Sequence, residues 1–384
     1  MALEVSIHQS LGDIEPQTWD ALGGDRDPFL SHAFLHALET TECLQPYGWH
    51  PHHLLVHDDG RLVAATPLYA KTNSYGEFVF DWAWAGAYER SGLPYYPKLV
   101  AAVPYTPATG RRLLVSPDIA EPTALIDLMI TQTLEFARRN ELSGVHWLFT
   151  PPGETDRLCE HGLMRRLGCQ YHWENRSYRD FDDFLATFSS RKRKKIKRER
   201  RRVIEQGVSL HVMHGDMLDD ALIAIFHDFY LNTFERHMGV PTLSLDFFQK
   251  IARSLGSRFV LVMAKHEGEW VAGAVNFRGA DTLYGRYWGC RKTIEDLHFE
   301  ACYYQGIDYC IAEGLQHFEP GAQGEHKIAR GFLPTRTWSA HWIADSGFRP
   351  HIEVFCRREQ LAMERECESL MSLSPFREDE GPAA

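Results

Sequence analysis

Several patterns that mark common protein classes are missing from this sequence. It has no uninterrupted run of about 18 or more apolar residues, which excludes the ordinary pattern of a membrane-spanning helix. It has no GxSxG, HExxH or complete P-loop motif, so the sequence does not predict a serine hydrolase, a zinc protease or a P-loop nucleotide hydrolase. Its first residues lack the basic and apolar regions of a secretory signal peptide. We therefore expect a cytoplasmic protein.

Cysteine is present but is not arranged for disulfides or metal binding. None of the eight cysteines belongs to a CxxC pair, and their spacings match no zinc-binding pattern. The run HPHH (His50–His53) has no neighbouring carboxylate at helical spacing, so we predict that it lies in a solvated turn. The sequence therefore predicts reduced, buried thiols and no bound metal.

Positive charge is concentrated in one short segment. The 384-residue chain has a formal net charge of -11, yet ten of the twelve residues in RKRKKIKRERRR (Arg191–Arg202) are Lys or Arg. Suitable capping residues flank the segment, so we predict a helix that docks through an apolar stripe of Ile196, Val203 and Ile204. Such a density of like charge needs an anionic counterpart. That counterpart is either the acidic remainder of the protein or a phosphate-rich ligand.

The sequence contains an internal repeat. LLVHDDGRLVAATPLY (Leu54–Tyr69) and VMAKHEGEWVAGAVNF (Val262–Phe277) each predict two strands joined by a tight turn. Each is followed by an aromatic segment predicted as a third strand, FVFDWAWAG (Phe78–Gly86) or LYGRYWG (Leu283–Gly289), and then by a helix and a further strand. The matching order indicates two copies of one α/β unit. It is also the order of the GNAT acyltransferase fold, in which two central strands splay apart around an acyl donor.

We therefore predict an α/β (α+β) fold of two tandem GNAT-like domains, each a mixed, mostly antiparallel sheet flanked by helices. The predicted boundaries are residues 1–178 for the first domain and 179–365 for the second, followed by a polar tail over 366–384. The first half also carries a proline-rich segment, Ser91–Leu114, which we predict to be an ordered loop with a short strand.

Seven runs of unusual composition extend over most of the chain. They are PFLSHAFLHALE (Pro28–Glu39), GEFVFDWAWA (Gly76–Ala85), YYPKLVAAVPYTPATGRRLL (Tyr95–Leu114), QYHWENRSY (Gln170–Tyr178), LYGRYWG (Leu283–Gly289), LHFEACYYQGIDYCI (Leu297–Ile311) and GAQGEHKIARGFLP (Gly321–Pro334). Together they resemble the FemAB-like N-acyltransferases, relatives of the Fem peptidoglycan aminoacyltransferases. The resemblance implies an enzyme that forms an amide bond between an activated donor and an amine acceptor, with a link to peptidoglycan precursors. The implied donor is aminoacyl-tRNA or acyl-CoA, with no permanently bound cofactor.

The run GAQGEHKIARGF (Gly321–Phe332) offers chemistry that such a reaction needs. Its glycines allow the backbone to approach a ligand closely, and its cations can stabilise a developing oxyanion. Fem-type enzymes carry a lysine shortly before a Gly-Phe pair, and Lys327 is similar with a longer spacing, so we predict Lys327 as catalytic. The alternative is a surface loop with scattered charges. The residues of this run predicted to contact substrate are Gln323, Glu325, His326 and Arg330.

Further chemical candidates lie on a predicted helix, Leu297–Ile311, and on the strand before it. An acyltransferase needs a group that takes the proton from the attacking amine. His298 and Glu300 begin the helix, near the predicted donor position, so we predict them as catalytic. The alternative is an amphipathic helix whose polar side meets water. The residues predicted to contact substrate here are Arg286, Tyr304 and Gln305.

Two further groups of residues are predicted to bind the substrates away from the reacting atoms. Tyr96 and Lys98 lie beside prolines in the first half, where the segment is either an acceptor-binding loop or an ordered connector. The basic segment is predicted to bind the backbone of a tRNA donor, because Fem relatives use aminoacyl-tRNA. Its predicted contacts are Arg191, Lys194, Lys195 and Arg198.

The sequence leaves more than one function open. GNAT enzymes bind the pyrophosphate of coenzyme A with an R/Q-x-x-G-x-G/A turn at a helix start. CRKTIEDLHFE (Cys290–Glu300) has no glycine, and TPATGRRLL (Thr106–Leu114) has one, which favours charged tRNA over acyl-CoA. From another functional class, a non-catalytic RNA-binding protein with a GNAT-like shell is also compatible with the basic segment.

Overall fold

The computed structural model describes residues 3–24 and 26–377. These residues form two compact units. The first contains the described residues through Cys169 and the segment Arg336–Glu366. The second contains Gln170–Thr335 and the described residues from Cys367 onward.

The described residues contain strands and helices in alternation. The strands are β1 (Leu3–His8), β2 (Trp49–Pro51), β3 (His53–Asp58), β4 (Arg61–Thr66), β5 (Leu68–Lys71), β6 (Lys98–Ala101), β7 (Leu114–Val115), β8 (Gly144–Thr150), β9 (Met164–Glu174), β10 (Val208–His214), β11 (Phe259–His266), β12 (Glu269–Arg278), β13 (Thr282–Cys290), β14 (His317–Glu319) and β15 (Leu333–Ile343). The α-helices are α1 (Pro16–Trp19), α2 (His32–Thr40), α3 (Trp82–Arg90), α4 (Thr123–Arg139), α5 (Pro152–Glu160), α6 (Phe181–Ala186), α7 (Ser190–Glu205), α8 (Asp220–Arg236), α9 (Leu245–Leu255), α10 (Leu297–Phe299), α11 (Gln305–Ala312) and α12 (Phe348–Met371). Short 3₁₀ or π turns lie at Asp20–Gly24, Gln45–Tyr47, Gly215–Met217, Gly256–Arg258, Glu300–Tyr304 and Glu325–Arg330.

The sheet of the second unit has the strand order β10-β11-β12-β13-β14-β9. Neighbouring strands are antiparallel except β13 and β14, which pair in parallel. The connection between this parallel pair is the helical segment from α10 to α11, which is the usual way to join parallel strands. A single parallel pair within an otherwise antiparallel sheet is the feature that positions the site described below.

The sheet of the first unit repeats this arrangement. β1 pairs with β3 and β3 with β4. After Pro67 the chain continues as β5, which pairs antiparallel with β6, and β6 pairs in parallel with β8. The helix α4 joins that parallel pair. The predicted duplication and the predicted fold class, two tandem GNAT-like α/β units, are confirmed.

Both units contain the hairpin that the internal repeat predicted. Asp59 and Gly60 join β3 to β4 with φ values of 47° and 80°, and Glu267 and Gly268 join β11 to β12 with φ values of 53° and 86°. Positive φ at both central residues is the geometry of a two-residue type I′ hairpin turn. Glycine adopts this conformation without a steric penalty, so both turns keep Gly at the second position.

Each sheet is completed by a strand from a distant part of the sequence. Trp173 and Glu174 of β9 pair with β14 of the second unit. Residues 338–343 of β15 pair with β8 of the first unit. The division of the chain therefore differs from the predicted boundaries at residues 178 and 365. A prediction that assigns contiguous segments to domains does not anticipate strands exchanged between the two halves.

The predicted strand Phe78–Gly86 is wrong. Its residues form an irregular segment followed by helix α3, which begins at Trp82. The third strand of the first unit is instead β6, Lys98–Ala101, inside the proline-rich segment. Alternating aromatic residues suggested a half-buried strand, but Phe78, Phe80 and Trp82 are exposed.

The prediction that His50–His53 lies in a solvated turn is also wrong. This run spans the end of β2 and the start of β3, and His53 is fully buried.

The end of the chain is more regular than predicted. Helix α12 runs to Met371, so the first part of the predicted tail is helical. Residues 378–384 of that predicted tail lie outside the described residues. Within residues 3–24 and 26–377, no helix is both long enough and apolar enough to cross a membrane.

Candidate active site

A cavity opens in the second unit where β13 and β14 separate. The two strands pair only at Thr282–Tyr284 and His317–Glu319. Beyond these residues β13 continues to Cys290, whereas β14 ends. The cavity measures about 300 Å³, and its walls include Gly285–Trp288 and Pro320–Gln323. The predicted gap between two central strands is therefore present in this unit.

An irregularity in β13 shapes one wall of the cavity. Asn276 of β12 pairs with Gly285, but Val275 pairs with Tyr287, so Arg286 is an extra residue in β13. Such a bulge redirects the side chains around it. A Cβ atom on Gly285 would lie 3.2 Å from Asn276 Oδ1 and 3.3 Å from atoms of Phe318 and Pro320, so glycine allows these residues to pack closely at this wall. The Arg286 guanidinium donates hydrogen bonds to the Gly285 carbonyl at 2.8 Å and to the carbonyl of Glu319, where β14 ends, at 3.3 Å.

Lys327 brings a buried amine to the opposite wall. It lies in the turn Glu325–Arg330, and only 2% of the residue is exposed. Its Nζ donates a hydrogen bond to the Gly321 carbonyl at 2.7 Å. Its other N–H groups form no hydrogen bond to an acceptor among the described residues. Burial, reinforced by the charge of Arg286, lowers the pKa of Lys327 from 10.5 to about 7.

His298 lines the same cavity from the start of the helical connection. Its ring lies 5.3 Å from the ring of Trp288 and 5.4 Å from that of Tyr303. Burial, together with His326, Arg330 and Lys327, lowers its pKa to about 4. The imidazole is therefore neutral near pH 7 and can accept a hydrogen bond or a proton, although a pKa of about 4 makes it a weak base. Among the described residues it has no hydrogen-bond partner, so this capacity is not used by the protein.

His326 and Gln323 also line the cavity, as predicted for substrate contacts. His326 Nε2 lies 2.9 Å from the Tyr303 hydroxyl, and burial and the charges of Arg330 and Lys327 lower its pKa. Glu325 is exposed and does not line the cavity. The structure thus brings together five predicted residues, namely Arg286, His298, Gln323, His326 and Lys327.

Glu300 lies outside the cavity, although it was predicted as catalytic. It is 4% exposed and accepts two hydrogen bonds from Arg200, from Nε at 3.2 Å and from Nη2 at 3.1 Å. Gln305 donates a third at 2.8 Å, and Arg200 also contacts Asp308 at 2.6 Å. Glu300 and Gln305 therefore hold helix α7 against the helical connection, because breaking this buried ion pair would leave a charge without a partner.

Tyr304 and Arg330 are part of a second buried ion-pair cluster. Both donate to Glu199 of helix α7, Arg330 at 3.0 Å, and burial raises the pKa of Tyr304. Arg330 also lies 3.4 Å above the ring of Phe299. Neither Tyr304 nor Arg330 lines the cavity, so their role in this structure is to hold helix α7 against the segments that form the cavity wall.

Helix α7 presents one buried edge and one charged face. The predicted helix is present, with Ile196 and Val203 buried, but Ile204 is 70% exposed and does not continue the apolar stripe. Part of its positive charge is neutralised by Glu300, Asp308 and other carboxylates. The predicted tRNA contacts are all exposed and comprise Arg191, Lys194, Lys195 and Arg198. Lys195 lies 3.7 Å from Glu199; the other three make no side-chain ion pair within the described part of the chain.

Tyr96 and Lys98 belong to the first unit. Lys98 is fully buried and donates to Glu77 at 2.8 Å, to Ser74 at 3.1 Å and to Asp81. Burial alone would lower the pKa of Lys98, but the two carboxylates raise it above its usual value. Its ammonium is therefore enclosed by protein groups. Tyr96 contacts Ser74 through its hydroxyl at 2.8 Å and remains half-buried.

The sequence prediction missed Asn276 and Tyr303, which both line the cavity. Asn276 is 2% exposed on a strand whose neighbours are apolar. A lone amide within the apolar run VAGAVNF was the available signal, because buried polar groups are rare without a role. Tyr303 carries no such signal, since its position also fits the apolar stripe of a helix.

Comparisons with known proteins place the chain among acyltransferase folds. The FemAB-like family model, described as peptidoglycan biosynthesis/recognition, matches residues 10–378. No match was found among curated protein sequences. The crystal structure of FemX aligns at 13% identity over 92% of this chain and 100% of the FemX chain, with a TM-score of 0.56. The C-terminal domain of a putative lysylphosphatidylglycerol synthetase from Agrobacterium fabrum aligns at 9% identity over 90% of this chain and 96% of its own, with a TM-score of 0.54.

A tandem GNAT protein from the clavulanic acid biosynthesis pathway aligns at 13% identity over 90% of this chain and 99% of its own, with a TM-score of 0.45. At such identities, the likeness to FemX and to the synthetase domain shows a shared fold. The family match covers most of the chain and confirms the predicted family.

The buried amine of Lys327 predicts a pH-dependent gain in stability when the charge is removed. Between pH 7 and 10.5 the unfolded chain binds a proton that the folded protein does not, so the stability of the wild type rises with pH in this window. Lys327→Met keeps the length of the side chain without its charge. We expect its gain in free energy of unfolding to be largest near pH 6 and to shrink as pH approaches 10. Denaturant titrations at several pH values measure this, with exposed Lys194→Met as the control. A difference that stays constant with pH would contradict the buried, charged amine.

Proposed function

This chain belongs to the FemAB-like family of peptidoglycan biosynthesis and recognition, and from that membership we propose that it transfers an aminoacyl group from charged tRNA to an amine of a peptidoglycan precursor. The family supports the enzyme class, an acyltransferase that forms an amide bond. The identity of the donor and of the acceptor is our proposal. We propose a cytoplasmic location as well, because charged tRNA is a cytoplasmic substrate.

The observation that carries the proposal is the placement of Lys327 and His298 in one cavity between splayed strands. In the proposed reaction the acceptor amine attacks the ester carbonyl of the donor and forms a C–N bond. The Lys327 ammonium stabilises the oxyanion that develops on the carbonyl oxygen. His298 takes the proton from the amine and returns it to the ribose oxygen as the C–O bond breaks. Burial strengthens the first interaction, because the cavity wall has a lower dielectric than water.

The connection between β13 and α10 argues against coenzyme A as the donor. No glycine lies between Cys290 and Leu297, and two acidic residues, Glu295 and Asp296, end this connection. Arg202 pairs with both of them, and burial raises the pKa of Asp296. Both carboxylates are therefore held by a protein cation, and without a glycine the backbone N–H groups of this connection cannot approach a pyrophosphate closely. This supports charged tRNA over acyl-CoA.

The exposed face of helix α7 supports a nucleic-acid donor. Arg191, Lys194 and Arg198 point their charges into solvent, whereas the buried edge of the same helix is neutralised by carboxylates. Cations that carry no protein counter-charge are available to release counterions from a phosphate backbone. The same face supports the alternative function, a non-catalytic RNA-binding protein, which an assay of transfer separates from an enzyme.

The described residues of the first unit fill the place that corresponds to the donor gap of the second unit. Its parallel strands β6 and β8 pair up to Ala101 and Trp147, which corresponds to the start of the gap in the second unit. Here the main-chain N–H of Gly110 donates to the Phe149 carbonyl at 3.0 Å, and Arg112 Nε donates to the Leu148 carbonyl at 3.0 Å. Arg112 is fully buried. The chain itself therefore fills the place that is open in the second unit.

A donor screen with purified protein tests the proposed function. We expect transfer of a labelled amino acid from charged tRNA to an amine of a peptidoglycan precursor, and no transfer from acyl-CoA esters. Lys327→Met is expected to remain folded and to lose at least about a hundredfold in rate, the loss typical for an oxyanion donor. Lys292→Met, which removes an exposed lysine outside the cavity, serves as the matched control and should keep the wild-type rate. Wild-type turnover by Lys327→Met, or transfer only from acyl-CoA, would overturn the assignment.

Removing three exposed cations of helix α7 that make no ion pair among the described residues tests the tRNA contact. The triple variant Arg191→Gln, Lys194→Gln and Arg198→Gln should bind tRNA at least about tenfold more weakly, and its plot of log affinity against log salt should be shallower by roughly two to three. The matched control removes three exposed arginines of helix α12, namely Arg357, Arg358 and Arg365. Filter binding at several salt concentrations measures both. Equal losses in the two triple variants would show a general charge effect and no contact by α7.

A further inference from the structure

The segment Ser74–Trp82 in the first unit inverts the usual burial pattern. Its polar residues Ser74, Glu77 and Asp81 are at most 7% exposed. Its aromatic residues are the exposed ones, at 42% for Tyr75, 39% for Phe78, 45% for Phe80 and 63% for Trp82. Exposing large apolar rings while burying carboxylates is unfavourable for folding alone. An exposed cluster of this kind marks a surface that contacts a ligand or partner.

A buried ion-pair cluster holds this inverted segment in place. Lys98 binds both Glu77 and Asp81, and Asp81 also accepts hydrogen bonds from Ser74 at 2.5 Å and from the Tyr95 hydroxyl at 2.6 Å. Because Asp81 immediately precedes Trp82, its anchoring keeps the indole outside. The ring of Trp82 packs against Phe80 at 4.7 Å, so the exposed rings are also held relative to each other.

Trp82 stands at the wall of a cavity of about 540 Å³ within the same unit. This volume falls in the usual range for small-molecule sites. The lining is aromatic and apolar apart from one carboxylate. Its principal members are Trp82, Glu89, Leu93, Pro94, Tyr95 and Tyr96.

The chemistry of the lining narrows the class of ligand. Among the described residues it contains no Lys, Arg or His, so it offers no counter-charge to a phosphate or carboxylate. Lys98 Nζ already lies 5.3 Å and 5.8 Å from the ring centroids of Tyr95 and Tyr96, which disfavours a second cation over those faces. The exposed Glu89 carboxylate offers a hydrogen-bond acceptor at the rim, which a purely apolar ligand would leave unused. A neutral ring with an apolar face and hydroxyl groups at its edge satisfies all three conditions.

We propose that this cavity binds a neutral saccharide ring, which stacks on Trp82 and donates a hydroxyl hydrogen bond to Glu89. The proposal rests on the proposed function in one respect, since a sugar of the peptidoglycan precursor would be its natural source. Glu89 is exposed, so it can reorient toward a hydroxyl, and a carboxylate is a strong acceptor for such a donor. The indole supplies a large rigid surface at low entropic cost.

A direct binding measurement tests this site without any reaction. The probe is di-N-acetylchitobiose, a neutral disaccharide, titrated into the full-length protein by calorimetry or ligand-observed NMR. We expect saturable binding by the wild type and a loss of at least about fivefold in affinity for Trp82→Ala, as for truncation of an aromatic anchor. The matched control is Phe78→Ala, which removes an exposed ring of the same segment outside the cavity.

Three outcomes would overturn the proposal. They are no binding by the wild type, an equal loss in the Trp82 and Phe78 variants, and tighter binding of choline than of the disaccharide. Transfer to an amine acceptor that carries no sugar is measured separately, so failure of the saccharide site leaves the test of acyl transfer unaffected.

Discussion

The candidate active site depends on the early end of one parallel strand pair. β13 and β14 share only three paired positions, and the backbone groups that would continue the pairing are left to face a cavity. Such groups need other partners, since a buried backbone group without one is costly. The side chains of Arg286 and Lys327 are two such partners, because they donate hydrogen bonds to the main-chain carbonyls of Glu319 and Gly321. Arg286 also lies 3.8 Å from the Glu319 carboxylate, whereas Lys327 forms no ion pair within the described residues, so its charge is the one that suits a developing oxyanion.

Buried ion pairs connect the basic helix α7 to the segments that form the cavity of the second unit. Glu199 of α7 pairs with Arg330 of the cavity turn, and Arg200 of α7 pairs with Glu300 of the helical connection. Buried ion pairs of this kind contribute modestly to stability, but removing one partner is strongly destabilising. They fix the helix on its buried edge and leave the cations of its other face in solvent. The dense basic segment is therefore partly a structural clamp and partly a candidate surface for phosphate.

The sequence predicted the fold more completely than the site. Hairpin turns with Asp-Gly and Glu-Gly, and a shared order of elements, were local signals and were sufficient for the duplication. The pairing of β14 with residues 173–174 and that of β8 with residues 338–343 join segments distant in sequence, so contiguous domain boundaries could not describe them. Lys327 and His298 both line the cavity, as their glycine-rich and helix-start positions suggested, and their catalytic roles stay a prediction. Glu300 was misplaced because periodicity puts a residue on a face of a helix without saying what covers that face, and here Arg200 covers it. The aromatic segment at Phe78 was misread because its alternation is inverted, with carboxylates inside.

The central claim is that the charged form of Lys327, buried in this cavity, stabilises the reaction. The most direct measurement is the dependence of kcat/KM on pH for the wild type and for Lys327→Arg. Arginine stays protonated, so the variant profile contains only the ionisation of the other groups, including the acceptor amine. With a pKa of about 7 for Lys327, the ratio of wild-type to variant kcat/KM should therefore fall as pH rises above neutrality. A ratio that stays constant from about pH 6 to 9 would contradict this role.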